Sequence, residues 1–170
     1  MRPSMLCSLL IFFLVLQTSL SASPIIEKAC GKIAKGYVGY KFCVQALEAD
    51  PKSGSANIRG LASISVKLSI ANATSTVSKI RELLKKASDP TIKNSLQACS
   101  YLYTNAKASL KWSEHFIASK NFTAAKAEIH AAVFVGTFCE EAFTASPLTK
   151  ENDNFGKLTL LATAIINSLA

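Results

Sequence analysis

Cys99 and Cys139 stand twenty residues on either side of Ser119, and the residues between them recur at helical spacing. Asp89-Pro90 has the form of a helix start, a carboxylate at the cap and proline at the first helical position. From there Ile92, Leu96, Cys99, Tyr103, Ala106, Leu110, Ser113 and Ile117 follow at steps of four and three, one stripe of a long amphipathic helix. The pattern lapses at Ser119-Lys120-Asn121. It resumes with Phe122, Ala125, Ile129, Ala132, Gly136, Cys139 and Phe143, which predicts a second, uninterrupted helix. So short a connection makes the two helices antiparallel neighbours. At a rise of about 1.5 Å per residue both cysteines reach the same height, each on its helix's inward stripe. The spacing therefore predicts a Cys99–Cys139 disulfide that staples the hairpin at the end away from its bend.

Disulfides need an oxidising compartment, and the N-terminus reads as the route to one. Arg2, an apolar run from Met5 to Leu16 and the small or polar residues before Ser23 form a secretory signal peptide over residues 1–22. Its apolar run is too short to span a bilayer. Of the five cysteines, Cys7 leaves with that segment, and the remaining four permit three pairings. The hairpin pairing leaves Cys30 to Cys43, a loop worth about 3 kcal/mol by chain entropy. Zinc is the rival reading of paired cysteines. Neither pair has ligand spacing, and His115 and His130 lie away from both, so no metal and no cofactor is expected.

The mature chain, residues 23–170, has the length of one domain. An N-terminal arm, about 24–50, reads as two short helices, Pro24–Ala34 and Tyr40–Ala49, interrupted by Gly36 and Gly39 and bridged by Cys30–Cys43. Asp50 to Ser55 is a turn by composition. A bundle, about 55–170, follows. Its first helix, about Ser55–Ala87, carries Leu61, Val66, Ile70, Ala73, Val77, Ile80 and Leu84 on one stripe. Then come the stapled hairpin and, after Ser146-Pro147, a last helix with Phe155, Leu158, Ala162, Ile165 and Leu169 inward. Its apolar end, Leu158–Ala170, invites comparison with a lipid-anchor signal. Thr159, Thr163, Asn167 and Ser168 read instead as the polar face of a bundle helix, and no stable membrane anchor is expected. The fold expected is all-α: an up-down-up-down four-helix bundle with a helical hairpin arm and two disulfides.

The formal charge is +8, or +7 without Arg2. Such a basic domain suits an acidic partner surface, acidic pectin included. The lysines are scattered over helical faces and show no nucleic-acid motif, so nucleic acid is not an expected partner. No catalytic constellation is present in the sequence: no metal-binding HExxH, no Gly-x-Ser-x-Gly, no phosphate-cradling glycine loop. His115 reads as a surface residue and His130 as structural or solvated, and the chain is not expected to be an enzyme. Two glycosylation sequons remain, Asn72-Ala73-Thr74 inside a predicted helix and Asn121-Phe122-Thr123 in the bend.

Several stretches resemble one family. They are Phe42-Cys43-Val44-Gln45-Ala46-Leu47-Glu48-Ala49-Asp50-Pro51-Lys52-Ser53, Gln97-Ala98-Cys99 with Tyr101 and Tyr103, Ala131-Ala132 leading to Thr137-Phe138-Cys139-Glu140-Glu141-Ala142-Phe143, and Ser146-Pro147-Leu148-Thr149-Lys150-Glu151-Asn152. Together they resemble the plant invertase/pectin methylesterase inhibitor family, most closely its invertase-inhibitor side with the pollen-allergen members. The resemblance implies a secreted bundle with these two disulfides that inhibits a larger enzyme by docking on it. The partner would be plant acid invertase or pectin methylesterase, in the extracellular space or cell wall in preference to the vacuole. A non-inhibitory basic wall or pollen allergen-like protein is the alternative. Invertase inhibitors of the family carry Pro-Lys-Phe in the bend. The same place here is Lys120, Asn121 and Phe122, which the resemblance makes the partner-binding residues.

Overall fold

The structure, a computed structural model, describes residues 23–33, 36 and 38–169; the predicted signal peptide at 1–22 lies outside them. The elements are α1 (Pro24–Ile33), α2 (Tyr40–Glu48), a 3-10 turn (Pro51–Ser55), α3 (Ile58–Lys86), α4 (Pro90–Ala118), α5 (Phe122–Val133), α6 (Val135–Glu141) and α7 (Thr149–Asn167). No strand occurs among the described residues.

Side-chain caps set the starts of the two longest helices, α3 and α4. The Asp89 carboxylate accepts from the N–H groups of Thr91 (2.7 Å) and Ile92 (3.1 Å), with Pro90 at the first helical position where no N–H is needed. α3 starts at Ile58, not near Ser55 as the periodicity suggests, because Pro51–Ser55 is used in a 3-10 turn capped by Asp50 on the Lys52 N–H. Asn57 then caps α3 by accepting from the Gly60 N–H at 2.9 Å.

α3 packs on α4, α4 on α5, α5 on α7, and α7 back on α3, which closes a four-helix bundle. The stripe of α4 is buried from Leu96 through Cys99, Tyr103, Ala106, Leu110 and Ser113 to Ile117, while Ile92 at its start is exposed. α1 and α2 pack on each other, α2 also on α3 and α1 on α7, so the arm lies against the bundle. Cys30 is bonded to Cys43 and Cys99 to Cys139, with Cα separations of 5.7 and 5.1 Å.

Two sequence expectations need correction. The segment from Phe122 to Phe143 is not one helix: it breaks at Phe134 between α5 and α6 and ends at Glu141. The break lies beside Gly136, where the backbone of α6 is pressed onto that of α7. A Cβ at Gly136 would stand 3.1 Å from the Asn152 carbonyl carbon and closer still to its oxygen. Val133 and Val135, β-branched residues of lower helix propensity, flank the break. The inward stripe survives it, since Ala132, Gly136 and Cys139 are all buried.

Thr159, assigned to a polar face, is fully buried. Its hydroxyl donates to the carbonyls of Phe155 (3.0 Å) and Gly156 (2.9 Å) of its own helix. Ser65, Ser69 and Thr76 are buried by the same device, bonding carbonyls of Ala62, Ser65 and Asn72. Satisfied in this way, a hydroxyl enters a helix interface without an orphaned donor. Leu158, Leu161, Ala162, Ile165 and Ile166 surround Thr159 on α7 as core residues, and no helix among the described residues is long and apolar enough to cross a membrane.

Two outcomes follow from this packing. Gly136→Ala sets a methyl group against backbone that no rotamer change can move, and should cost about 3 kcal/mol in denaturant unfolding with the disulfides intact. Replacing Cys99 and Cys139 together by alanine should cost about 4 kcal/mol, against about 3 kcal/mol for the Cys30–Cys43 pair, because the longer loop constrains the unfolded chain more.

Candidate functional site

The bend between α4 and α5 is built by the chain's own helix-end chemistry. α4 ends at Ala118, and Lys120 adopts φ 62°, the single positive φ of a non-glycine residue among the described residues. The Asn121 N–H donates to the Phe116 carbonyl at 2.8 Å and the Lys120 N–H to the Ile117 carbonyl at 3.2 Å. These are the paired bonds of a Schellman C-cap, with a lysine at the left-handed position that glycine usually takes. Asn121 turns the chain at once into α5: its Oδ1 accepts from the Ala124 N–H at 3.1 Å. Three residues thus end one helix and start the next, with the N–H groups of Ser119, Lys120 and Asn121 bonded back to α4.

The three residues singled out in sequence do not share one environment. Lys120 and Asn121 are exposed at the tip, whereas Phe122 is half-buried and packs against the core at the start of α5. Beside them is a feature that sequence periodicity missed. Trp112, 57% exposed, stacks on Phe116 at 6.2 Å between ring centroids, and the His115 ring meets both edge-on at 5.9 and 5.7 Å. The available signal was a tryptophan one position before Ser113 of the buried stripe, hence off the core face. The tip therefore presents a cation and an amide on a short, hydrogen-bonded turn, and the aromatic cluster lies in the last turns of α4 before it. Asn72, the other sequon asparagine, lies on α3, half-buried.

At the opposite end of the hairpin, beside Cys99–Cys139, is a polar cluster. The buried Tyr103 hydroxyl donates to Asn152 Oδ1 at 2.8 Å, Asn152 Nδ2 donates to Glu140 Oε2, and Thr149 Oγ1 donates to Glu140 Oε1 at 2.6 Å. Burial, with the nearby charges of Glu151 and Glu140, pushes the Tyr103 hydroxyl well above its ordinary value. Desolvation pushes Glu140 up, but hydrogen bonds from Thr149, Asn152 and Ser146 together outweigh it and hold the carboxyl below its usual range. A tyrosine that stays protonated and a carboxylate that stays ionised cannot exchange a proton near neutrality. This cluster ties α4, α6 and α7 together.

A family model described as plant invertase/pectin methylesterase inhibitor matches residues 24–165. The chain is 37% identical over 169 residues to a protein of Platanus orientalis named "Putative invertase inhibitor", covering 95% of this chain and 96% of that one. It is 35% identical over 149 residues to "Cell wall / vacuolar inhibitor of fructosidase 2" of Arabidopsis thaliana, with 81% of each chain covered. The crystal structure of mutant form A of a pectin methylesterase inhibitor from Arabidopsis superposes with a TM-score of 0.74, covering 83% of this chain and 97% of that chain. At 22% identity, that likeness shows the fold alone.

The bend makes a sharp conformational prediction. Lys120→Gly should raise stability by about 1 kcal/mol in denaturant unfolding, since glycine takes a left-handed φ without a Cβ penalty. Lys120→Pro should lower it by about 3 kcal/mol or more, because proline cannot take φ 62° and lacks the N–H bonded to Ile117. At the other end, Tyr103→Phe leaves the buried Asn152 oxygen unpaired and should cost about 1–2 kcal/mol. For Glu140 the sign follows from its depressed folded value. Its contribution is complete above the unfolded value of 4.5 and is lost as pH falls through the folded one. The stability gap between the native chain and Glu140→Gln should therefore be widest above pH 4.5 and close in stronger acid.

Proposed function

We propose that this chain, which belongs to the plant invertase/pectin methylesterase inhibitor family, is a secreted protein that inhibits an acid invertase by forming a stoichiometric complex with it. The observation that carries the choice of target is the near full-length likeness to the Platanus protein named for invertase inhibition. The likeness to the inhibitor of fructosidase points the same way. Such a protein acts by occupying a cleft, not by chemistry of its own, and a stapled hairpin suits the task. Its tip is held by main-chain hydrogen bonds before any partner arrives, so little conformational freedom is lost on docking. Lys120 and Asn121 form the leading edge of the contact in this reading. Trp112 supplies the large, rigid aromatic area that dominates interface energetics.

The family also includes inhibitors of pectin methylesterase, and that enzyme is the alternative target. The net positive charge favours retention on acidic pectin, hence a cell-wall location over the vacuole. The decisive assay titrates disulfide-intact protein against acid invertase and against pectin methylesterase in mildly acid buffer. Inhibition of invertase alone, saturating at equimolar protein, is the expected result. Inhibition of the esterase alone transfers the chain to the alternative target. If both enzymes stay fully active while the protein binds polygalacturonate in a salt-sensitive way, the chain is a non-inhibitory wall protein. Trp112→Ala and Lys120→Ala should each weaken invertase inhibition at least about tenfold, as expected for central contacts. Lys85→Ala, at the far end of α3 in an exposed pair with Glu82, should leave it unchanged.

A further inference from the structure

The two sequons sit in opposite surroundings. At Asn121 the side chain is exposed, and its oxygen is the group that caps α5 by accepting from the Ala124 N–H. The backbone of Asn121 is equally committed: its N–H donates to Phe116 at 2.8 Å and its carbonyl accepts from Ala125 at 3.0 Å. What remains without a partner among the described residues is the side-chain Nδ2. That is the atom to which an N-linked sugar is joined. A glycosylated asparagine keeps its amide oxygen and one N–H, so the cap survives modification. Thr123, the hydroxyl residue of the sequon, is exposed on the first turn of α5 and makes no side-chain hydrogen bond among the described residues.

At Asn72 the same tripeptide is set in the middle of α3 on a half-buried side chain. Its amide oxygen is fully buried with no hydrogen-bond partner. The side chain borders a groove whose other walls are Phe42 and Ala46 of α2 and Asn154 and Leu158 of α7. α2 cannot swing aside freely, because Cys43 ties it to Cys30 of α1, which packs on α7. Phe42 is also packed against the core. A branched sugar leaving Asn72 through that groove would lie against Phe42 of α2 and Leu158 of α7.

We infer that Asn121 carries an N-linked glycan and that Asn72 in the folded, disulfide-bonded protein carries none. The inference rests on the secretory reading of the chain and on neither choice of target enzyme. The sugar is set on the tip of the hairpin, next to Lys120, where it stands in the way of the contact proposed for that end, so inhibition through the tip belongs to the unglycosylated form.

The test is to express the full chain in a plant secretory host and to map glycopeptides of the released protein by mass spectrometry. Thr123→Ala, Thr123→Ser and Thr74→Ala accompany the native sequence. Substituting the threonines spares the Asn121 cap, so loss of sugar is not confounded with loss of the helix start. The expected result is one glycan, on the Asn121 peptide. It disappears in Thr123→Ala and persists in both Thr123→Ser and Thr74→Ala. A bare Asn121 in the released protein overturns the inference. So does sugar on Asn72 of protein with both disulfides formed, and so does a chain that stays in the cytosol, where the amide never meets the transferase. No target enzyme enters this measurement, so failure of the inhibitor reading and failure of the glycan reading are seen separately.

Discussion

The bond between Cys99 and Cys139 closes the α4–α5–α6 hairpin at the end opposite its bend, and most of what is specific to this structure depends on that closure. A helical hairpin with one open end could splay or slide; with a turn at one end and a covalent link at the other, the register of the two strips of side chains is fixed. Further contacts gather where the link is. Ser95 Oγ donates to the Ala142 carbonyl at 2.6 Å, and the Tyr103–Asn152–Glu140 chain of hydrogen bonds carries the constraint across to α7. The ring of Tyr103 meets that of Phe155 edge-on at 5.0 Å, so the same residue serves the polar tie and the apolar core. Gly136 completes the arrangement by letting α6 reach the Asn152 backbone. Removing the Tyr103 hydroxyl leaves the buried Asn152 amide oxygen unpaired, and adding a methyl at Gly136 forces α6 off α7, so one end of the bundle tolerates little change.

The helices were legible in sequence where the determinants are local. Asp89-Pro90 announced the start of α4, and the stripe from Leu96 to Ile117 announced its buried face, because a cap and a period need only neighbouring residues. What escaped the sequence depends on residues brought together from far apart. The break at Phe134 answers to the close approach of Gly136 and Asn152, sixteen positions apart and on different helices. Thr159 was misassigned for a different reason: polarity was taken to mean exposure, whereas its hydroxyl is satisfied within α7 and needs no water. Serine and threonine in this chain are poor markers of surface for that reason, as Ser65, Ser69 and Thr76 confirm.

The bend was legible in place but not in shape. A lapse in periodicity located Ser119-Lys120-Asn121. Nothing in the letters said that lysine would take the left-handed position, since glycine is the residue that usually signals it. Trp112 was invisible to periodicity because an outward aromatic contributes nothing to an inward stripe; only its exposure and its contacts with His115 and Phe116 mark it.

The backbone of the bend also bears on how this chain relates to the Pro-Lys-Phe pattern of the invertase inhibitors it resembles. With φ of 62° at position 120, a proline there is sterically forbidden, so Lys120-Asn121-Phe122 is not that pattern with one residue exchanged. In this turn the lysine is at the apex, the asparagine caps α5, and the phenylalanine packs against the core. Phe122 is half-buried in this turn, while Trp112 on α4 presents the larger free aromatic area. The same left-handed residue that closes the turn thus sets a lysine at its apex, with the aromatic cluster on α4 leading up to it.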